Sequence, residues 1–323
     1  MTNFSRKNLA ARSESEQDRA VKSENNTPPL ATIQAALDFV HEQLQTSDLY
    51  FGHGSDNAWD ESVFLVLHTA GVALTSGAEV LQNKLSAAQQ AQVLSLTARR
   101  VMDRVPLPYL LHEAWFCGLK LYVDERVLIP RSPIGELIDA QFTPWLRPDR
   151  IHRALDLCTG SACIAIAMAH ALIHTLIDAS DISPAALAVA KINVDAYQLQ
   201  KRLRLIESDL FSALAEQKYD LIVSNPPYVD AQDMADLPEE YHVEPELALA
   251  AGEDGLSIVR SILREAPTYL NPNGVLICEV GNSQLALSEQ YPDVPFTWLT
   301  FQHGESEVFL LTYDQLVECH GLF

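Results

Sequence analysis

The apolar run Tyr219-Asp220-Leu221-Ile222-Val223-Ser224 reads as a buried strand, and the Asn225-Pro226-Pro227-Tyr228 that follows cannot extend it. Two successive prolines remove two N–H donors and hold both φ angles at about −65°, so the chain must leave the sheet there. A stiff loop therefore stands at the carboxyl end of a strand, where open α/β sheets bind ligands. It offers an amide side chain, carbonyls with no helix or sheet partner, and an aromatic ring. That set suits a planar NH2 group, which needs two acceptors for its hydrogens and a ring face to lie on. A tight turn capped by an aromatic has the same spelling, so the flanking sequence must decide.

From residue 150 onward, strand and helix patterns alternate. Strands are expected over 154–158, 175–180, 203–207, 219–224 and 275–280, with helices over 161–172 and 255–269. Ser183-Pro184 supplies an N-cap and a proline at the first helical position, opening a helix to about residue 198. A hairpin around His303-Gly304 closes the chain. Such alternation means an α/β fold with a mostly parallel sheet covered on both faces.

The upstream half is different. Residues 1–30 are polar and charged, read as a disordered tail, and lack the apolar core of a signal peptide. Residues 31–104 read as a small helical domain: Ile33, Leu37, Val40 and Leu44 share a helix face, and Ser86 with Gln89 forms a capping box. Its His41, His53 and His68 have no metal-ligand spacing and read as ordinary helix or loop residues. Over 105–130, Pro106 and Pro108 stop the helix, and aromatic and β-branched residues gather around Gly118. This reads as a hairpin linker to a domain over 131–323.

Charge narrows the partners. The chain carries 22 Lys+Arg against 43 Asp+Glu, a net of −21, with no basic cluster to neutralise phosphates. That argues against direct nucleic-acid binding and favours a basic protein partner. No apolar run is long enough to span a membrane. The five cysteines form no Cys-x-x-Cys pair and suit reduced, buried thiols, which implies a cytoplasmic protein.

Three further loops point to the same sheet edge. In Asp156-Leu157-Cys158-Thr159-Gly160-Ser161-Ala162 the backbone must turn at Gly160, and the following helix would aim free N–H groups into the crevice. A phosphate or a carboxylate would suit that position. Cys158 and Ala162 break the dinucleotide pattern G-x-G-x-x-G. Asp156 would repel a diphosphate and attract an ammonium, such as the methionine end of S-adenosylmethionine. Asp181 ends the next strand, where a carboxylate can take both ribose hydroxyls, although a plain helix-start charge would look the same. Ser208-Asp209-Leu210-Phe211 places an acid and apolar groups where an adenine would lie, or merely starts a helix.

Taken in this order, these segments resemble the HemK-type protein-(glutamine-N5) methyltransferases. The likeness rests on Val127-Leu128-Ile129-Pro130-Arg131, on residues 156–167 and on Ser224-Asn225-Pro226-Pro227-Tyr228-Val229. Pro130-Arg131-Ser132-Pro133 departs from the Pro-Arg-Pro of members that modify release factors. Together with residues 236–246 and 276–282, it is similar to the subgroup acting on large-subunit ribosomal protein L-three.

The resemblance implies a Rossmann-like domain behind a small helical domain, with S-adenosylmethionine as methyl donor and S-adenosylhomocysteine as product. It places Asp156, Cys158, Thr159, Gly160, Ser161, Asp181, Asp209, Leu210 and Asn225 around the cofactor. Asn225, Pro226, Pro227, Tyr228 and Arg131 would meet the substrate, with Asn225, Pro226 and Tyr228 catalytic and no metal required. Ala162 stands where the family has a third glycine; a methyl inside the helix should be tolerated but could crowd the cofactor. Exocyclic amines of nucleic-acid bases pose the same acceptor problem, so a nucleic-acid methyltransferase is one alternative. A release-factor methyltransferase and a non-catalytic ribosome-assembly factor are the others.

Overall fold

The computed structural model describes residues 30–214, 217–302 and 307–323. The tail expected over 1–30, apart from the buried Leu30, and the His303-Gly304 turn lie outside the described residues. The chain divides into two compact units, one holding the described residues up to Asp48 together with Ala58–Ala98, the other Leu49–Asn57 and Arg99–Phe323.

The first unit is helical. Thr32 caps the helix Ile33–Thr46, its hydroxyl accepting from the Ala35 N–H at 3.2 Å. Ile33, Leu37, Val40 and Leu44 are buried on the expected face. A second helix runs over Ala58–Ala70, and the helix Ala87–Met102 opens on the reciprocal bonds of Ser86 and Gln89.

In the second unit, residues 105–130 are more than a connection. A short helix, Leu107–Leu111, precedes the hairpin of β1 (Ala114–Phe116) and β2 (Leu119–Leu121), which turns through Gly118 at φ 69°. Phe116 and Leu121 are buried in the main core, because apolar residues of this density bury themselves instead of remaining a solvated linker.

The main sheet has seven strands: β3 (Arg153–Leu157), β4 (Leu176–Asp181), β5 (Leu203–Glu207), β6 (Tyr219–Ser224), β7 (Leu270–Glu279), β8 (Thr297–Trp298) and β9 (Val308–Thr312). Their order is β5-β4-β3-β6-β7-β9-β8, parallel from β5 to β7, with β9 and β8 antiparallel at one edge. Alternate residues feed opposite cores. Ala154, Leu221, Val223, Val275 and Ile277 face one, with the helix Cys163–Ala171. Leu155, Ile222 and Leu276 face the other, with the helix Ser257–Tyr269. That period-2 split explains why the strands read as unbroken apolar runs.

The chain reaches β4 and β5 on one side of β3, then crosses back to β6 on the other. The loops after β3 and β6 thus diverge at a topological switch point, where such sheets leave a crevice.

Candidate active site

The loop after β3 is bent by three residues in the left-handed region: Cys158 (φ 59°), Gly160 (φ 53°) and Ala162 (φ 64°). The helix begins only at Cys163, so Ala162 is its cap and not an interior residue. Its methyl is fully buried and is not among the groups lining the cleft. The consequence is backbone strain, about 1–2 kcal/mol for a residue with a Cβ in that conformation.

Hydrogen bonds hold the strained loop. Asp156 Oδ2 accepts from Thr159 Oγ1 at 2.5 Å and from the Ala165 N–H at 3.1 Å. The Thr159 N–H donates to the Ser180 carbonyl at 3.0 Å, and the Gly160 N–H to Asp181 Oδ2 at 2.8 Å. The Ala162 N–H donates to the Thr159 carbonyl. The expected cradle of free N–H groups is therefore absent at these three positions, since their donors hold the loop itself. What Gly160 presents instead is room: a Cβ built on it would meet nothing within 4 Å.

One cleft collects residues from all four strand ends. It is lined by Cys158 and Gly160 after β3, Ser180 and Asp181 at the end of β4 with Ile182 just beyond, Asp209 and Leu210 after β5, and Asn225 and Pro227 after β6. The glycine turn and the proline rim thus share one cavity. Asp181 faces it with both oxygens steadied from behind, by the Gly160 and Ser183 N–H groups at 2.8 and 2.9 Å. Burial raises its carboxyl above the ordinary range despite those bonds. Ser180 contributes a buried hydroxyl with no hydrogen-bond partner among the described residues. The Asn225 amide is half-buried at the rim and, among the described residues, is bonded to nothing.

Several expected site residues stand elsewhere. Asp156 is fully buried beneath the loop, where its partners are Thr159 and the helix, and it does not line the cleft. Burial pushes its carboxyl up to about 7, and its Oδ1 has no hydrogen-bond partner among the described residues. Thr159 and Ser161 are likewise buried off the cleft, Thr159 bound to Asp156 and the Ser161 carbonyl to Asn193. Burial also pushes the Cys158 thiol up, which fits packing and not nucleophilic work.

Arg131 is engaged by Glu244 through two bonds of 2.6 Å and lies over the Tyr241 ring, so it braces the loop that contains residues 239–244. His53, read as an ordinary loop residue, is buried in this cluster 3.4 Å from Glu244, and burial lowers its pKa to about 3. Pro226 is buried within the rim, between the two cleft-lining residues Asn225 and Pro227. Tyr228 is turned away from the cleft lining, its hydroxyl donating to Glu279 at 3.2 Å and its ring against Gly281.

The cleft has a further wall that the sequence reading did not single out, of Leu247, Ala248 and Ala250, together with Pro245, Val127 and Leu128, which entered that reading only as family signature. A parallel bridge between Val229 and Ala250 ties this wall to the proline loop. The acid-rich stretch over 236–246 was visible as a signature, but nothing in its spelling says that a cleft wall follows it.

Comparison with known proteins agrees with this geometry. Residues 142–240 match the model of the methyltransferase small domain. A ribosomal protein uL3 glutamine methyltransferase of Francisella tularensis subsp. tularensis is 48% identical over 295 residues, 91% of this chain and 94% of that protein. Its namesake in Neisseria gonorrhoeae is 50% identical over 289 residues, 89% of this chain and 96% of that protein. Identity of that depth, spanning both units and the cleft, makes this chain a member of the protein glutamine methyltransferase family.

Proposed function

We propose that this methyltransferase uses S-adenosylmethionine to methylate the side-chain amide nitrogen (N5) of a glutamine on large-subunit ribosomal protein uL3. The single observation that carries the reading is the shared cleft, whose lining holds both an Asn225 amide that is unbonded among the described residues and the open turn at Gly160. The names of the two relatives supply the substrate.

The residues present fit the cofactor. Asp181 keeps lone pairs for ribose hydroxyls, Ser180 has a hydroxyl without a partner, Leu210 and Ile182 give apolar contact for a base, and Gly160 leaves space. When bound, S-adenosylmethionine supplies an electrophilic methyl on a cationic sulfur. The chain's own task is to make a poor nucleophile usable. A glutamine nitrogen has its lone pair delocalised into the carbonyl, and no side chain at neutral pH is basic enough to strip its proton. The Asn225 oxygen and the Pro226 carbonyl accept the two amide hydrogens and fix the nitrogen's direction of approach. As positive charge grows on nitrogen, these preset dipoles stabilise it, and the proton leaves afterwards. Pro226 and Pro227 keep both acceptors from drifting.

The chain's charge of −21 favours a strongly basic partner, and its five free cysteines suit a reducing cytoplasm. The test is intact-mass analysis after incubating purified protein with S-adenosylmethionine and, separately, uL3, a release factor, DNA and RNA. One added methyl on a uL3 glutamine is the expected result. Methylation of the release factor or of nucleic acid instead would overturn the substrate, and no transfer to any of them would overturn the enzymatic reading.

A further inference from the structure

We propose that Glu279 is a positioning residue for methyl transfer: its two carboxylate oxygens, one accepting from Ser132 and one from Tyr228, fix Tyr228 and through it the rim of residues 225–227. The proposal rests on the reading of that rim as the transfer site.

Glu279 ends β7, beside the end of β6 that carries the rim, and is 4% exposed. Ser132 Oγ donates to its Oε2 at 2.5 Å and Tyr228 OH to its Oε1 at 3.2 Å. Tyr228 is boxed on its other sides. Its ring lies so close to Gly281 that a Cβ there would come within 2.3 Å of it. Its carbonyl accepts from Ser283 Oγ at 2.9 Å and sits against Gly255, where a Cβ would approach to 2.4 Å. Tyr228 follows Pro227 directly, so an anchored ring fixes the end of the proline pair. Ser132 stands where the release-factor pattern Pro-Arg-Pro has its second proline, and a proline could not make this bond.

The carboxylate form accepts both donors most strongly, since each bond is then charge-assisted. Burial pushes Glu279 up to about 7, with Glu307, the residue before β9, acting in the same direction. Ser132 and Tyr228 act the other way through their hydrogen bonds, as does the Arg131 guanidinium, which is itself paired with Glu244. Protonation turns one carboxyl oxygen into a hydroxyl, a weaker acceptor that also brings a donor of its own, and the anchor loosens.

The experiment measures kcat against pH, methyl-donor affinity by calorimetry and amide hydrogen exchange at Tyr228 and Val229, in wild type and Glu279→Gln. Wild-type kcat should fall roughly tenfold from about pH 8 to about pH 6, as expected for a required carboxylate of that pKa. Glu279→Gln should show the low-pH rate throughout, with no acid limb, methyl-donor affinity within about twofold of wild type and faster exchange at both amides. A variant with wild-type kcat at about pH 8, or one that is slower but keeps the wild-type acid limb, overturns the proposal. Should Glu279→Gln not fold, Tyr228→Phe carries the test: it removes the same bond and should lose about tenfold in kcat at unchanged donor affinity, and full activity would overturn the proposal. A wild type that methylates no ribosomal protein refutes the substrate reading instead. In that event exchange still decides, because unchanged protection of Tyr228 and Val229 in either variant overturns the anchor.

Discussion

The loops after β3 and β6 stand on adjacent strands and reach rigidity by opposite means. After β3, three left-handed residues are held by carboxylates: Asp156 takes Thr159 and Ala165, and Asp181 takes Gly160. After β6, the rings of Pro226 and Pro227 set the backbone covalently. Hydrogen bonds to buried acids depend on protonation, whereas a pyrrolidine ring does not. The methyl-donor side of the cleft should therefore respond to pH through its scaffold, and the acceptor side only where Tyr228 leans on Glu279.

The largest effect tests the β3 support. Burial raises Asp156 from its ordinary value to about 7, a change that corresponds to roughly 4 kcal/mol. For an acid raised in this way, the folded state holds the proton more tightly than the unfolded chain. The stabilisation is complete below the ordinary value and is lost as pH rises towards 7. Its Oδ1, which has no hydrogen-bond partner among the described residues, is free to carry the proton while Oδ2 keeps its two bonds. Asp156→Asn, which does not titrate, should be relatively more stable at about pH 8 than at about pH 4.5 when urea unfolding is compared with wild type. Two parallel stability-against-pH curves would remove Asp156 as the titrating support.

Next in size is Asn225→Ala. Removing one preset dipole from a transfer site costs on the order of 10²–10³ in kcat. Methyl-donor affinity, measured by calorimetry on the same sample, should stay within a few fold, because Asn225 has no partner in the loop after β3. A large loss of affinity with turnover intact at saturation would reverse the two loops' roles.

Much of this contrast was legible in the sequence. The prolines announced a loop that must leave the sheet, and the apolar runs gave β5 and β6 over the residues observed. Asp181, Gly160 and Asn225 were placed on one edge by β/α alternation alone, and they share a cleft. What escaped was depth. Asp156 and Asp181 both sit near strand ends, yet one is fully buried and the other lines the cavity: Asp156 pairs with Ala179, two residues short of Asp181, and lies beneath the loop that follows β3. Arg131 looked like a substrate contact because its partner Glu244 lies more than a hundred residues away, and such pairings have no local spelling. Ala162 was misplaced because the helix begins two residues later than expected, and a left-handed cap carried by alanine gives no glycine signal.

Asp181→Ala should come third. It removes a charged acceptor of two backbone N–H groups and the lone pairs offered to a ribose, each worth about 1.5–3 kcal/mol when a charged group is involved. Calorimetry should show methyl-donor affinity weakened by tens of fold, with turnover at saturating donor changed much less. Unchanged affinity would take Asp181 out of the cofactor site and leave it as a helix-start residue.

The smallest effect reads the stiffness of the rim itself. Pro226→Ala keeps the Asn225 amide and the carbonyl at position 226 but frees one φ angle in the unfolded chain, costing about 0.4–1 kcal/mol of stability. Pro226 is buried, so part of any loss would come from packing. Turnover separates the two contributions. Lost packing alone lowers the unfolding midpoint and leaves kcat unchanged below it. A rim that must hold two acceptors in register loses several fold in kcat at temperatures where the variant is fully folded. The acid limb of the pH profile should keep its midpoint, because Glu279 and Tyr228 are untouched. A shifted midpoint would mean that the proline ring and the carboxylate anchor are not independent, and the distinction between covalent and titratable rigidity would fail for this loop.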